Sequence, residues 1–125
     1  MILGIGVDMV EIARIERLYS QRGDQFANRI LSEPEKNLLG GSPRPELFLA
    51  NRFAAKEALS KAIGTGLRFP VTFHAISIIN NAVEKPEFKF HGSLPDYLAQ
   101  CGIGRHYLSL THEKGLACAM VVIEN

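Results

Sequence analysis

The sequence predicts an α+β domain: a mainly antiparallel sheet packed against a long buried central helix. Three features carry that expectation. Leu47 to Ile63, written at about 100° per residue, is apolar nearly all the way round, which marks a helix covered by its neighbours. The chain opens on an alternating, β-branched segment, Ile2 to Met9, and closes on two more, Tyr107 to Thr111 and Leu116 to Ile123, spaced as a hairpin. Between helix and hairpin, Phe73 to Ile79 and Glu87 to His91 also alternate in strand fashion. With 125 residues, no internal repeat and no long linker, residues 1–125 are expected to form one domain.

Taken in order, the first strand turns Leu3, Ile5 and Val7 one way and Gly4, Gly6 and Asp8 the other. Two glycines on one strand face admit a close backbone neighbour. Asp8 then stands at the mouth of that contact, either as a cap for the helix that follows or as a carboxylate with a chemical task. Helical periodicity covers Val10 to Ser20, breaks at Gly23-Asp24, and resumes from Gln25 to Leu31. A third helix starts at Ser32, with Pro34 in its first turn and Glu35 three residues on, the pattern of a capping box. Gly40 to Pro45 is a turn-rich connector. The central helix ends at Gly64 as a C′ glycine, and Gly64-Thr65-Gly66 beside Lys61 and Arg68 reads as a cradle for phosphate. Asn80-Asn81 turns the chain between the middle strands, and Ser93-Leu94-Pro95 opens a short helix to Cys101 that Gly102 closes. His112 to Gly115 is read as the hairpin turn, with Ser109 and Thr111 on one face of the strand before it.

A net charge of +1 excludes a generally basic nucleic-acid binder, so any anion site must come from local clustering. The start lacks a basic leader, and no apolar run reaches membrane-spanning length. A soluble, cytoplasmic protein without membrane contact is expected. The two cysteines, Cys101 and Cys118, follow no metal or redox spacing and are read as reduced core residues.

The chemistry centres on the long helix. Glu57 and Lys61, four apart, share a face with Ala50, Phe53 and Ala54. They form either an ordinary helix salt bridge or part of a site. Arg52 and Lys56 are also four apart, a like-charge pair that becomes reasonable beside an anion. Asp8 and Glu57 are the carboxylates in constrained places, with no His/Cys ligand cluster, and sparse oxygen ligation suits Mg²⁺. Arg52, Lys56, Lys61, Arg68 and His112 around them make a phosphate-handling set. Arg14, Arg17, Arg22 and Arg29, on two consecutive helices, are either a solvated face or a dock for an acidic partner. The same residues also admit a nucleotide-binding module, or a Mg²⁺-dependent phosphohydrolase.

Several of these segments carry a resemblance. Gly4-Ile5-Gly6-Val7-Asp8 with Glu11, Arg14 and Ile15, then Arg52-Phe53-Ala54-Ala55-Lys56-Glu57-Ala58 with Lys61-Ala62-Ile63-Gly64-Thr65-Gly66, then Ser109-Leu110-Thr111-His112, resemble the signatures of the small bacterial 4′-phosphopantetheinyl transferases, the holo-[acyl-carrier-protein] synthases. The likeness runs in order from Ile2 to about Glu124. It implies the 4′-phosphopantetheinyl transferase fold. The implied activity is transfer of the phosphopantetheine arm of coenzyme A to a serine of apo acyl carrier protein, with release of adenosine 3′,5′-bisphosphate. Asp8 and Glu57 would hold Mg²⁺; Glu57, directly or through a metal-bound water, would take the serine proton; Lys61 would steady the pyrophosphate. Arg52, Gly64, Thr65, Gly66, Thr111 and His112 would bind the nucleotide part, and Arg14 and Arg29 would dock the carrier protein. The resemblance further implies a homotrimer with active sites between subunits, Asp8 and Glu57 coming from one subunit and some of the carrier surface, including Arg14, from the next. One departure stands out: Glu84 occupies the position where the family pattern has a glycine before the Lys-Pro matched by Lys85-Pro86.

Overall fold

A computed structural model describes all 125 residues, Met1–Asn125. The elements are β1 (Ile2–Glu11), α1 (Ile12–Arg22), α2 (Asp24–Ile30), α3 (Glu33–Leu39), α4 (Pro45–Ile63), β2 (Ile76–Asn80), β3 (Pro86–Phe90), α5 (Leu94–Gln100), β4 (Arg105–Glu113) and β5 (Leu116–Glu124). Two antiparallel sheets result, one ordered β1-β5-β4 and a ribbon of β2 with β3, so the α+β expectation matches the architecture.

α4 lies across the larger sheet, and small residues on both sides bring it close. Gly4 and Gly6 face it, and a Cβ on either would collide with the carbonyl oxygen of Ala62 or Ala58. From α4 itself, Ala50, Ala54, Ala58 and Ala62 are buried; from β5, so are Ala117, Ala119, Val121 and Ile123. The glycine face of the first strand is therefore the helix contact that the alternation predicts. The opposite face of the sheet is bare. Ile5, Val7, Met9 and Met120 are 58%, 50%, 60% and 46% exposed, and the strand register sets Val7 beside Met120 and Ile5 beside Val122.

Three shifts in boundary from the sequence reading bear on the site. β1 runs on through Glu11, because Glu11 still pairs with Leu116, so α1 starts at Ile12 rather than Val10. Asp8 is thus well inside a strand and caps nothing. Phe73–Ala75 is a 3₁₀ turn, with the Thr72 hydroxyl accepting from the Ala75 N–H, so β2 begins at Ile76. In the closing hairpin β4 continues to Glu113, and the turn shrinks to Lys114-Gly115, both at positive φ (52° and 81°). Two such residues make the tight turn whose twist suits paired strands. His112 is therefore a strand residue, paired with Ala117. The cysteines are free, as expected, but Cys101 is exposed and Cys118 half-buried, so neither is a core residue. Both lie where apolar sequence meets the surface, at the end of α5 and on the bare sheet face.

Candidate active site

Asp8 emerges from β1 on the α4 side, beyond the tight contact made by Gly4 and Gly6. Lys61, in the last turn of α4, reaches across to it: the ammonium donates to Asp8 Oδ1 at 3.0 Å and to the Val7 carbonyl at 3.0 Å. Lys61 thus pairs with Asp8, not with Glu57, which removes the plain helix salt bridge as an account of this face. Glu57 stands one turn earlier. Burial, and secondarily the charge of Asp8, raise its carboxyl above the usual range, while Lys61 pulls the other way. A carboxyl group whose ionisation is opposed by a neighbouring carboxylate is a donor that a divalent cation relieves. The chain has no cluster of three or more His, Cys, Asp or Glu side chains placed for a metal. An ion at Asp8 and Glu57 would take its remaining oxygens from water and substrate, the habit of Mg²⁺.

The other predicted residues divide between two edges of the molecule. Arg52 is five residues before Glu57, which on a helix turns it about 140° away. Its Nη2 donates to the Ile78 carbonyl at 3.0 Å, its Nε lies 3.3 Å from Glu35 Oε2, and Phe48 covers one face at 3.7 Å. It lines a cavity of about 470 Å³ with Asn51, Asn80, Pro86 and Leu110, on the side of α4 toward the β2–β3 ribbon and β4. His112 belongs to this edge, two residues along β4 from Leu110. Thr111 and His112 both line a smaller hollow, about 360 Å³, at the hairpin tip with Met9 and Cys118.

Gly64 and Gly66 behave differently from a phosphate cradle. Both have positive φ (93° and 68°), and both N–H groups donate to the Ser60 carbonyl, at 2.9 and 3.3 Å. Their backbone donors close the helix end. That end carries the negative pole of the helix dipole, so its attraction for an anion depends on Lys61 and the exposed Arg68. The Thr65 hydroxyl is turned to the Gly66 carbonyl at 2.8 Å.

Lys56 leaves the anion-binding set. It is fully buried and its ammonium donates to Glu35 Oε1 at 2.6 Å, to the Ile30 carbonyl at 2.6 Å and to the Phe73 carbonyl at 3.0 Å. The anion that the Arg52/Lys56 pair called for is therefore Glu35, inside the chain. Glu35 also fulfils its capping-box role, accepting the Ser32 N–H at 2.9 Å. The sequence signal for it was present as a second acid in Ser32-Glu33-Pro34-Glu35, though a cap alone accounts for that pattern.

Arg14, Arg22 and Arg29 rim a groove of about 240 Å³ whose floor includes Leu18, Phe26 and Phe53. Phe53 is one turn before Glu57 on the same face of α4, so on this chain the arginine groove adjoins the Asp8–Glu57 edge.

Residues 4–121 match the model of the 4′-phosphopantetheinyl transferase superfamily. The chain belongs to that family. It is 48% identical over 124 residues to a holo-[acyl-carrier-protein] synthase of Nitrosospira multiformis, with 99% of both chains covered. A protein of the same name from Nitrosomonas eutropha is 49% identical over 99% of both chains. Among solved structures, the holo-[acyl-carrier-protein] synthase of Neisseria meningitidis superposes with a TM-score of 0.97 at 44% identity, covering 100% of each chain. That of Helicobacter pylori, in complex with coenzyme A, gives 0.83 at 32% identity, covering 96% of this chain and 99% of its own. Each of the two edges carries residues that the sequence resemblance assigns to one substrate.

Proposed function

We propose that this protein is a holo-[acyl-carrier-protein] synthase, moving 4′-phosphopantetheine from coenzyme A to a serine of apo acyl carrier protein in a Mg²⁺-dependent reaction. The observation that carries the reading is the Asp8–Glu57–Lys61 cluster, two carboxylates with the Lys61 ammonium paired to Asp8 where β1 meets α4, on a fold shared with the synthases. Asp8 and Glu57 would hold Mg²⁺, which would supply charge neutralisation at the pyrophosphate. Glu57 accepts the proton of the carrier serine. The serine oxygen forms a bond to the β-phosphorus as the P–O bond to the departing adenosine 3′,5′-bisphosphate breaks. Lys61 balances the charge that gathers there. The carrier, an acidic protein, docks on the groove rimmed by Arg14, Arg22 and Arg29, beside the reacting group. Residues 1–125 act as one catalytic domain, and two free thiols suit a reducing cytoplasm; no helix is long and apolar enough to cross a membrane.

Arg52, on the side of α4 toward the ribbon, turns away from Glu57, and His112 lies at the tip of the β4–β5 hairpin. One coenzyme A meets both sets if the β4 edge of one copy faces the β1 edge of the next. Repeating such a head-to-tail contact closes a ring, and a homotrimer is the ring this reading adopts. The bare face of Ile5, Val7, Met9 and Met120 supplies apolar surface for that assembly. Pro86, in the Arg52 cavity, then flanks the adenine side.

The test is to incubate the protein with coenzyme A, Mg²⁺ and apo acyl carrier protein and weigh the carrier. A phosphopantetheine mass increment is expected, with no bisphosphate released when the carrier is omitted. An unchanged carrier mass, or equal bisphosphate release without carrier, contradicts transfer.

A further inference from the structure

We infer that Glu35 is a positioning residue for substrate binding: it holds the Arg52 guanidinium at the wall of the cavity between α4 and the β2–β3 ribbon, where it receives a phosphate monoester. This rests on the assignment of that cavity to the nucleotide part of coenzyme A, and commits its 3′-phosphate to Arg52.

Charge on the buried network points there first. Glu35 faces two cations, Lys56 at 2.6 Å and Arg52 at 3.3 Å, so the group keeps one uncompensated positive charge. Lys56 and Glu35 are fully buried, while the Arg52 side chain is 11% exposed, and the surplus charge reaches the surface only through Arg52. A cation left part-paired in a largely dry wall is stabilised by an anion brought from outside.

Geometry points the same way. Glu35 is itself fixed by several donors: Oε1 accepts the Ser32 N–H and the Lys56 ammonium, and Oε2 accepts the Ile78 N–H at 2.7 Å. Arg52 is then held by the charge of Glu35, whose Oε2 lies 3.3 Å from Nε without forming a hydrogen bond, through Nη2 by the Ile78 carbonyl and across one face by Phe48. Nη1 makes no bond within the chain. A guanidinium fixed on three sides, with a free amino group at a cavity wall, is a preorganised phosphate contact.

The experiment compares coenzyme A with dephospho-coenzyme A, which lacks the 3′-phosphate, in carrier-transfer kinetics on the full chain. Wild type should prefer coenzyme A, and Arg52→Ala should lose the preference. Glu35→Gln should raise KM for coenzyme A by about tenfold, the scale of one charge-assisted contact, leaving kcat and the KM for dephospho-coenzyme A near wild type. Arg52→Lys keeps the Glu35–Lys56 pair and the charge but lacks Nε; it should lose most of the preference too, and it decides the matter if Glu35→Gln does not fold. If Arg52→Ala loses the preference while folded Glu35→Gln, or Arg52→Lys in its place, retains it, the cavity assignment stands and positioning by Glu35 is overturned. If wild type shows no preference, the cavity assignment falls and the inference with it.

Discussion

Glu57 carries its proton affinity for two reasons that can be separated. Burial comes first and the Asp8 charge second. A folded-state value above the unfolded one means that the stability contribution is present below the ordinary carboxylate range and is lost as pH rises through the raised value. In metal-free protein, Asp8→Asn should let Glu57 titrate at lower pH, followed by NMR of its side-chain carboxyl; an unmoved titration would leave burial as the sole cause. Glu57→Gln should lose at least about 100-fold in turnover, the scale of a general base, while calorimetry shows coenzyme A still binding. Near-normal turnover would end its catalytic assignment. Glu84 is a different kind of residue. It has φ of 61° in the turn before β3, a left-handed conformation that explains why the family pattern has glycine there. Glu84→Gly should raise stability by about 0.5–1 kcal/mol in urea unfolding, since relief of that strain exceeds the entropy lost with glycine; destabilisation would show that the Asn80–Glu84 hydrogen bond at 3.3 Å outweighs it.

At the scale of elements, the chain's plan was legible where one face is plainly apolar or plainly small. The all-round apolar helix and the glycine face of β1 predict each other, and α4 does seat on that face. What periodicity does not reveal is a charge pair that crosses elements. Lys56 reads as one more base beside a site, because its partner Glu35 lies in a short helix whose local pattern is already satisfied by capping. The Gly64-Thr65-Gly66 run reads as an anion cradle for a similar reason, since sequence cannot say that its N–H groups turn back to Ser60. The buried pair has its own consequence. Lys56→Met leaves Glu35 without its closest cation and should destabilise by about 3–5 kcal/mol. Burial pushes the Lys56 ammonium down to about 8, against the opposing pull of Glu35. From about pH 8 to the usual lysine range the unfolded chain binds more protons, so stability rises with pH across that window. The margin of wild type over Lys56→Met in urea midpoints should therefore widen from pH 8 to pH 10; a narrowing margin would contradict a depressed lysine.

On the scale of the whole molecule, the proposed function spreads one substrate's contacts over two sides of α4. Asp8, Glu57 and Lys61 gather where β1 meets α4, with the arginine groove beside them. Arg52 and Pro86 line the cavity toward the ribbon, and His112 lines a separate hollow at the tip of the β4–β5 hairpin. The spacing in Arg52-Phe53-Ala54-Ala55-Lys56-Glu57 already contains that division, since five residues turn a helix by about 140°, but a motif read as a string places both ends in one site. Arg52 and Glu57 then serve one cleft only from two different copies, which subunit mixing tests. Glu57→Gln and Arg52→Ala chains, each nearly inactive alone at subsaturating coenzyme A, are co-expressed in equal amounts and assayed for carrier modification. In a cyclic assembly, random mixing gives about one cleft in four with both halves intact, so about a quarter of wild-type activity should return. No recovery in assemblies verified to contain both chains would place Arg52 and Glu57 in the same subunit's site and contradict the account.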